Sequence, residues 1–144
     1  MHYVGDISAW EIVFKEFVAE NDREKKLILM RTLTAIQDTS ILEEFIVTAT
    51  DEKYVRAQDF LSCLIAMSEN PEGTALVWEW VRSNWEFLVD RYTLNDRHLG
   101  SLIPSITKTF ATKTRLDEME CFFFLLELKI LWTNNSISEE LYCQ

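Results

Sequence analysis

The side chains best suited to chemistry are few: two histidines, His2 and His98, three cysteines, Cys63, Cys121 and Cys143, and a scatter of carboxylates. A hydrolytic zinc centre on a helix needs H-E-x-x-H, so that two imidazoles on one face hold the metal and the Glu activates water. Neither histidine has a Glu beside it, and the helix order set out below puts them near opposite ends, so no metal site is expected in this chain. Pairing Cys63 or Cys121 with His98 as nucleophile and base lacks a third, orienting group. The cysteines are expected in the core and the histidine on the surface. An odd number of cysteines without C-x-x-C spacing predicts neither a disulfide framework nor a zinc ribbon. Glu43-Glu44 and Glu139-Glu140 are adjacent in sequence and so diverge on a helix, which makes them solvated faces rather than paired acids. Asn134-Asn135-Ser136 fits the glycosylation acceptor pattern, one that chance supplies often.

Arg97 is the polar residue with the most promise. It follows Leu94-Asn95-Asp96, read as the turn between two helices, where a long side chain can project from a rigid base. Its guanidinium offers a planar fork of donors that fits a carboxylate bidentately. On the residues alone, an ordinary surface pair with Asp96 or Asp90 is the commoner outcome.

The charge distribution favours the same region. The net charge is -10, which argues against nucleic acid as a partner because phosphate binding needs clustered Lys and Arg. Residues 73–115 nevertheless carry six basic side chains (Arg82, Arg91, Arg97, Lys108, Lys113, Arg115) against four acidic ones (Glu79, Glu86, Asp90, Asp96), so this segment is +2 and the remainder -12. An anionic group is expected to meet this segment first. No basic region followed by an apolar run marks a signal peptide at residues 1–8, and the apolar stretch Phe122 to Trp132, broken by Glu127 and Lys129, is too short to span a bilayer.

Helices must position these residues, since three Gly and two Pro leave too few turns for an all-β fold. Ser8-Ala9-Trp10-Glu11 reads as a capping box, followed by Trp10, Val13, Phe14, Phe17 and Val18 on one face. Asn21 opens a second helix carrying Leu27, Met30 and Leu33. Ser40 caps a third to about Ala49, and a fourth near Val55 to Ser68 buries Phe60, Leu61, Leu64 and Ile65. It stops at Asn70-Pro71-Glu72-Gly73. A fifth, apolar over a wide arc from Thr74 to Tyr92, is expected to lie inside. Leu99 to Phe110 form a sixth that Pro104 should kink, and Thr114 caps a seventh. Helix pairs 8–34, 40–68 and 74–110 recur at roughly 30–35 residues, the range of stacked helical hairpins. The predicted fold is all-α, an irregular HEAT-like α-hairpin array (an α-α superhelix), with a closed bundle as the alternative.

Three stretches resemble the C-terminal helical domain of the glutamyl aminopeptidase and aminopeptidase N family of zinc metallopeptidases. Asn70-Pro71-Glu72-Gly73 with Leu76 to Trp85 looks like its N-P-x-G and W-x-F-x-x-x-N-W elements. Arg91-Tyr92-Thr93-Leu94-Asn95-Asp96-Arg97-His98-Leu99-Gly100 is similar to the glutamyl aminopeptidase loop. Phe110-Ala111-Thr112 with Leu116 to Phe123 resembles the following helix.

The resemblance implies that residues 1–123 are part of that domain, that Arg97 binds substrate, and that zinc with its catalytic Glu belongs to a domain not encoded here. It further implies a peptide substrate reached through that catalytic domain, a homodimer of the complete protein, and a setting on the extracellular face of the plasma membrane. Residues 124–144 depart from the family pattern and are expected to be an atypical tail, as in a truncated, spliced or frame-shifted product. The competing expectation is a stand-alone helical interaction module using the 122–132 stripe.

Overall fold

Backbone groups left unpaired at helix ends need partners, and in this chain short polar side chains supply them. The computed structural model describes residues 7–135, with side chains to residue 127. Among the described residues there are eight helices and no strand: α1 (Ile7–Ala19), α2 (Arg23–Leu33), α3 (Thr39–Ala49), α4 (Ala57–Glu69), α5 (Pro71–Ser83), α6 (Trp85–Tyr92), α7 (Arg97–Thr107) and α8 (Lys113–Asn135). They fall into two units, residues 1–107 and 108–144.

Several boundaries differ from those read in the sequence, and at α2, α3 and α8 a neighbouring side chain makes the cap. Asp22 starts α2 by accepting from Lys25 N, while Asp38 starts α3 by accepting from Ser40 N and Ile41 N. Ser8 lies inside α1, and Thr112 rather than Thr114 accepts from Arg115 N at 3.3 Å at the head of α8. The predicted fifth helix is two. Asn84, at φ -120° and ψ 24°, ends α5 and donates from Nδ2 to Trp80 O at 2.8 Å, after which α6 begins. Pro104 lies within α7, which continues to Thr107.

The core of the first unit is centred on α4, which touches α2, α3, α5 and α7. Phe60, Cys63, Leu64 and Met67 of α4 are fully buried, as are Leu33 of α2, Leu42 of α3, and Val77, Trp78 and Val81 of α5. At the other end, Trp10 and Phe14 of α1 stack at 5.4 Å, and each meets Phe45 of α3 edge-on. Helices α2 and α4 run parallel, because their starts meet at Arg23–Asp59 (3.5 Å) and their ends meet at Asn70.

The α4–α5 corner explains the sequence Asn70-Pro71-Glu72-Gly73. Asn70 Nδ2 donates to Thr34 O (3.0 Å) and Ile36 O (2.7 Å), tying the chain after α2 to the end of α4. Its Oδ1 accepts from Glu72 N at 3.1 Å, capping α5. Pro71 occupies the first turn of α5, where its missing N–H costs nothing. Gly73 lets the two helices touch: a Cβ there would sit 2.2 Å from Met67 O. In the second unit, Arg115 pairs with Glu118 at 2.8 Å and lies over Phe110, while Leu116, Phe123 and Phe124 are exposed. Of the predicted apolar stripe, Leu128 and Trp132 lie outside the described side chains.

Two substitutions test the corner. Gly73→Ala is expected to destabilise the chain by about 3 kcal/mol, because the clash is with backbone. Asn70→Asp keeps an equally good cap but faces two carbonyls with a carboxylate, and is expected to cost about 2–3 kcal/mol. Urea unfolding measures both, and an Asn70→Asp variant as stable as the parent would show that capping alone matters at this position.

Candidate functional site

The stretch from Arg91 to Gly100 turns the chain from α6 into α7, and the residues before the turn are pinned. Arg91 is largely buried: its Nη1 donates to Thr50 O at 3.2 Å, its Nη2 lies 3.5 Å from Glu52, and its guanidinium stacks over Phe60 and Phe87, each at 5.5 Å. Tyr92 donates its hydroxyl to Ala57 O at the start of α4. Burial pushes that phenol up from 10.0 to about 12. Both anchors therefore fix the corner beside the α3–α4 connection and the first turn of α4.

Thr93 follows with φ 67° and ψ 153°, in the left-handed half of backbone space that a β-branched residue rarely occupies. Such strain persists only where the surroundings over-determine it. Here Thr93 N donates to Val89 O at 2.8 Å and Asp96 N donates to Thr93 O at 3.2 Å, closing the turn. Asp96 then caps α7, its Oδ1 accepting from His98 N (2.7 Å) and Leu99 N (3.1 Å).

Arg97 is thus the first residue of a helix whose approach is anchored on both sides. Its side chain is exposed. Asp96, the partner expected for an ordinary surface pair, is occupied by backbone N–H groups instead. Of the other cations in residues 73–115, Arg82 pairs with Glu79, Arg91 with Glu52 and Arg115 with Glu118, whereas Arg97 makes no ion pair among the described residues.

The remaining candidates separate. Cys63 is fully buried and its thiol is raised to about 12 by burial, so it holds its proton and cannot act as a nucleophile. His98 is exposed. Cys121 lies half-buried on α8. Glu43 and Glu44 are both exposed. No group of three or more His, Cys, Asp or Glu among the described residues could hold a metal, so the described residues do not fit a zinc centre. His2, Cys143, Glu139-Glu140 and the last residue of Asn134-Asn135-Ser136 lie outside the described residues.

A second cationic cluster lies outside the segment that charge counting favoured. Arg23 of α2 and Arg56 before α4 share the single carboxylate of Asp59, at 3.5 and 3.2 Å, and Lys26 sits over the Phe17 ring at 4.8 Å. Asp59 is nearly buried while both guanidinium groups remain more than half exposed. Residues far apart in sequence meet here, so a window along the chain could not find the cluster; only the pairing of α2 with α4 would have.

Comparison with known proteins gives the chain relatives over most of its length. The family profile described as ERAP1-like C-terminal domain matches residues 1–131. Aminopeptidase A of Gloydius brevicauda is 38% identical over 123 residues, which cover 85% of this chain and 13% of that protein. Human glutamyl aminopeptidase is 28% identical over the same shares. Mouse aminopeptidase N is 32% identical over 114 residues, 79% of this chain and 11% of that protein. The chain therefore spans about 13% of the length of the relatives it matches first.

The half-buried phenol of Tyr92 makes the corner sensitive to alkali. Tyr92 loses its proton near 10.0 when unfolded and near 12 when folded, so its contribution to stability is complete below pH 10.0 and is lost as pH rises through about 12. Tyr92→Phe is expected to flatten the fall in stability over that interval, measured by urea midpoints at successive pH values. An unchanged slope would mean that the hydroxyl is not held against Ala57 O.

Proposed function

We propose, for a chain that belongs to the ERAP1-like C-terminal domain family, that it is a C-terminal helical segment of a zinc-dependent aminopeptidase of the glutamyl type. In this reading it contributes substrate binding and folding support, and no bond is broken by its own residues. Zinc and the Glu that activates water belong to a catalytic domain that these residues do not supply. Helices α2, α4 and α7 form one layer and α3 and α5 the other, which supports reading the fold as an irregular HEAT-like array. The membrane-surface setting follows from the same reading.

The observation that carries the proposal is Arg97: an exposed guanidinium, without an ion-pair partner among the described residues, at the head of α7 on a corner pinned by Arg91 and Tyr92. A carboxylate of the peptide substrate meets that fork bidentately, and the rigid approach lowers the entropy lost on binding. Asp96 Oδ1 accepts from the N–H groups of His98 and Leu99, which holds that carboxylate at the head of α7, and no ion pair joins it to Arg97 among the described residues. A stand-alone interaction module is the second reading, and the exposed Leu116 and Phe123 of α8 favour it.

Co-expression of this chain with a catalytic portion of a glutamyl aminopeptidase tests the first reading. Release of N-terminal Glu is expected to fall about tenfold or more with Arg97→Ala, the equivalent of one charge-assisted pair. Release of a neutral N-terminal residue should change by less than about twofold. Equal rates for Arg97→Ala and the parent on the acidic peptide would remove Arg97 from substrate binding.

A further inference from the structure

Three hollows lie end to end in the valley between the parallel helices α2 and α4. The first is a notch of about 10 Å³, room for one water or one carboxylate oxygen, lined by Phe17, Lys26, Met30, Val55, Arg56 and Asp59. It shares Leu27 and Met30 with an open cavity of about 470 Å³ bordered by Arg31, Ser62, Ile65, Ala66 and Glu69. That cavity shares Arg31, Ala66 and Glu69 with a third, of about 400 Å³, which reaches Asn70 and Pro71. The small side chains of Ser62 and Ala66 keep the middle open.

We propose that this valley binds an extended acidic peptide segment, with a carboxylate of the peptide seated on Lys26 and Arg56 and the following residues lying between α2 and α4. The proposal rests on the peptide-binding reading above and adds a site distinct from Arg97. Charge selects the occupant. Arg23 and Arg56 both reach the one carboxylate of Asp59, and Lys26 lines the same notch as Arg56 and Asp59, so cations outnumber the carboxylate there in a chain of net charge -10. Length agrees with an extended segment. The eleven residues of α2 rise about 16 Å, which four or five extended residues would span. The polar walls, with Arg31 and Glu69 on opposite helices, suit a peptide backbone better than a purely apolar helix.

Binding of a fluorescein-labelled hexapeptide with two Glu at one end to the full 144-residue chain, followed by polarisation, tests the site. The expected result is saturable binding that weakens about fivefold with Arg56→Gln and about tenfold or more with Ala66→Phe, which fills the valley, in variants that retain the parent's circular dichroism. Asn-and-Gln peptides of equal length should bind at least about fivefold more weakly. Arg23→Gln supplies a second charge variant should Ala66→Phe fail to fold. Absence of saturable binding, equal affinity for the neutral peptide, or affinity unchanged by the charge variants would overturn the proposal. Loss of binding with Arg97→Ala alone would also overturn it, while leaving the role of Arg97 intact.

Discussion

The amide of Asn70 is the interaction on which the arrangement of the first unit depends. One short side chain uses both of its N–H donors on carbonyls that follow α2 and its oxygen on the first turn of α5, so three segments share one planar group. Its own carbonyl accepts from Gly73 N and Thr74 N, while Thr74 Oγ1 returns to Ser68 O. Buried backbone carbonyls without partners cost more than a typical hydrogen bond yields, so the contacts to Thr34 and Ile36 act as much by avoiding a penalty as by adding attraction. Pro71 and Gly73 complete the corner, one by ending α4 and the other by admitting Met67 to the surface of α5. With this corner set, α2 and α4 lie parallel and the valley between them has its floor.

The second corner, between α6 and α7, is held in a different way. Here the anchors are long side chains that cross to another connection: Arg91 to Thr50 and Glu52, Tyr92 to Ala57. They bring the head of α7 to the side of the unit where α4 also begins. Arg91 and Arg97, six residues apart and chemically identical, consequently have opposite situations. The first is sandwiched among aromatic rings and carbonyls, where it serves the fold, and the second stands in solvent.

Much of this was legible in the residues. Helical periodicity located the helices, and Asn70-Pro71-Glu72-Gly73 marked a chain reversal whose reason, the contact between Gly73 and Met67 O, needs three dimensions to see. The caps misled by one or two residues because Asp38 competes with Ser40, and Thr112 with Thr114, for the same backbone donors; only geometry decides between them. Apolar width from Thr74 to Tyr92 concealed the break at Asn84, since a polar residue that bonds back to Trp80 O leaves the hydrophobic pattern nearly continuous. The turn that sets Arg97 at the head of α7 was legible because Leu94-Asn95-Asp96 is a local signal. The Arg23, Arg56 and Asp59 cluster could not, because it arises from packing between distant helices.

The break at Asn84 has a bearing on how this stretch can vary. Uninterrupted, α5 and α6 would make a rod of 22 residues, about 33 Å long, and would carry Tyr92 away from α4. The bend at Asn84 redirects α6 so that the Tyr92 hydroxyl at its end reaches Ala57 O. From there to Arg97 the register is counted in residues: inserting one into α6 would swing everything beyond by about 100° and advance it about 1.5 Å. Spacing between the bend and the guanidinium is accordingly held more tightly than side-chain identity on the outer face of α6, where substitutions leave the angular position of α7 untouched.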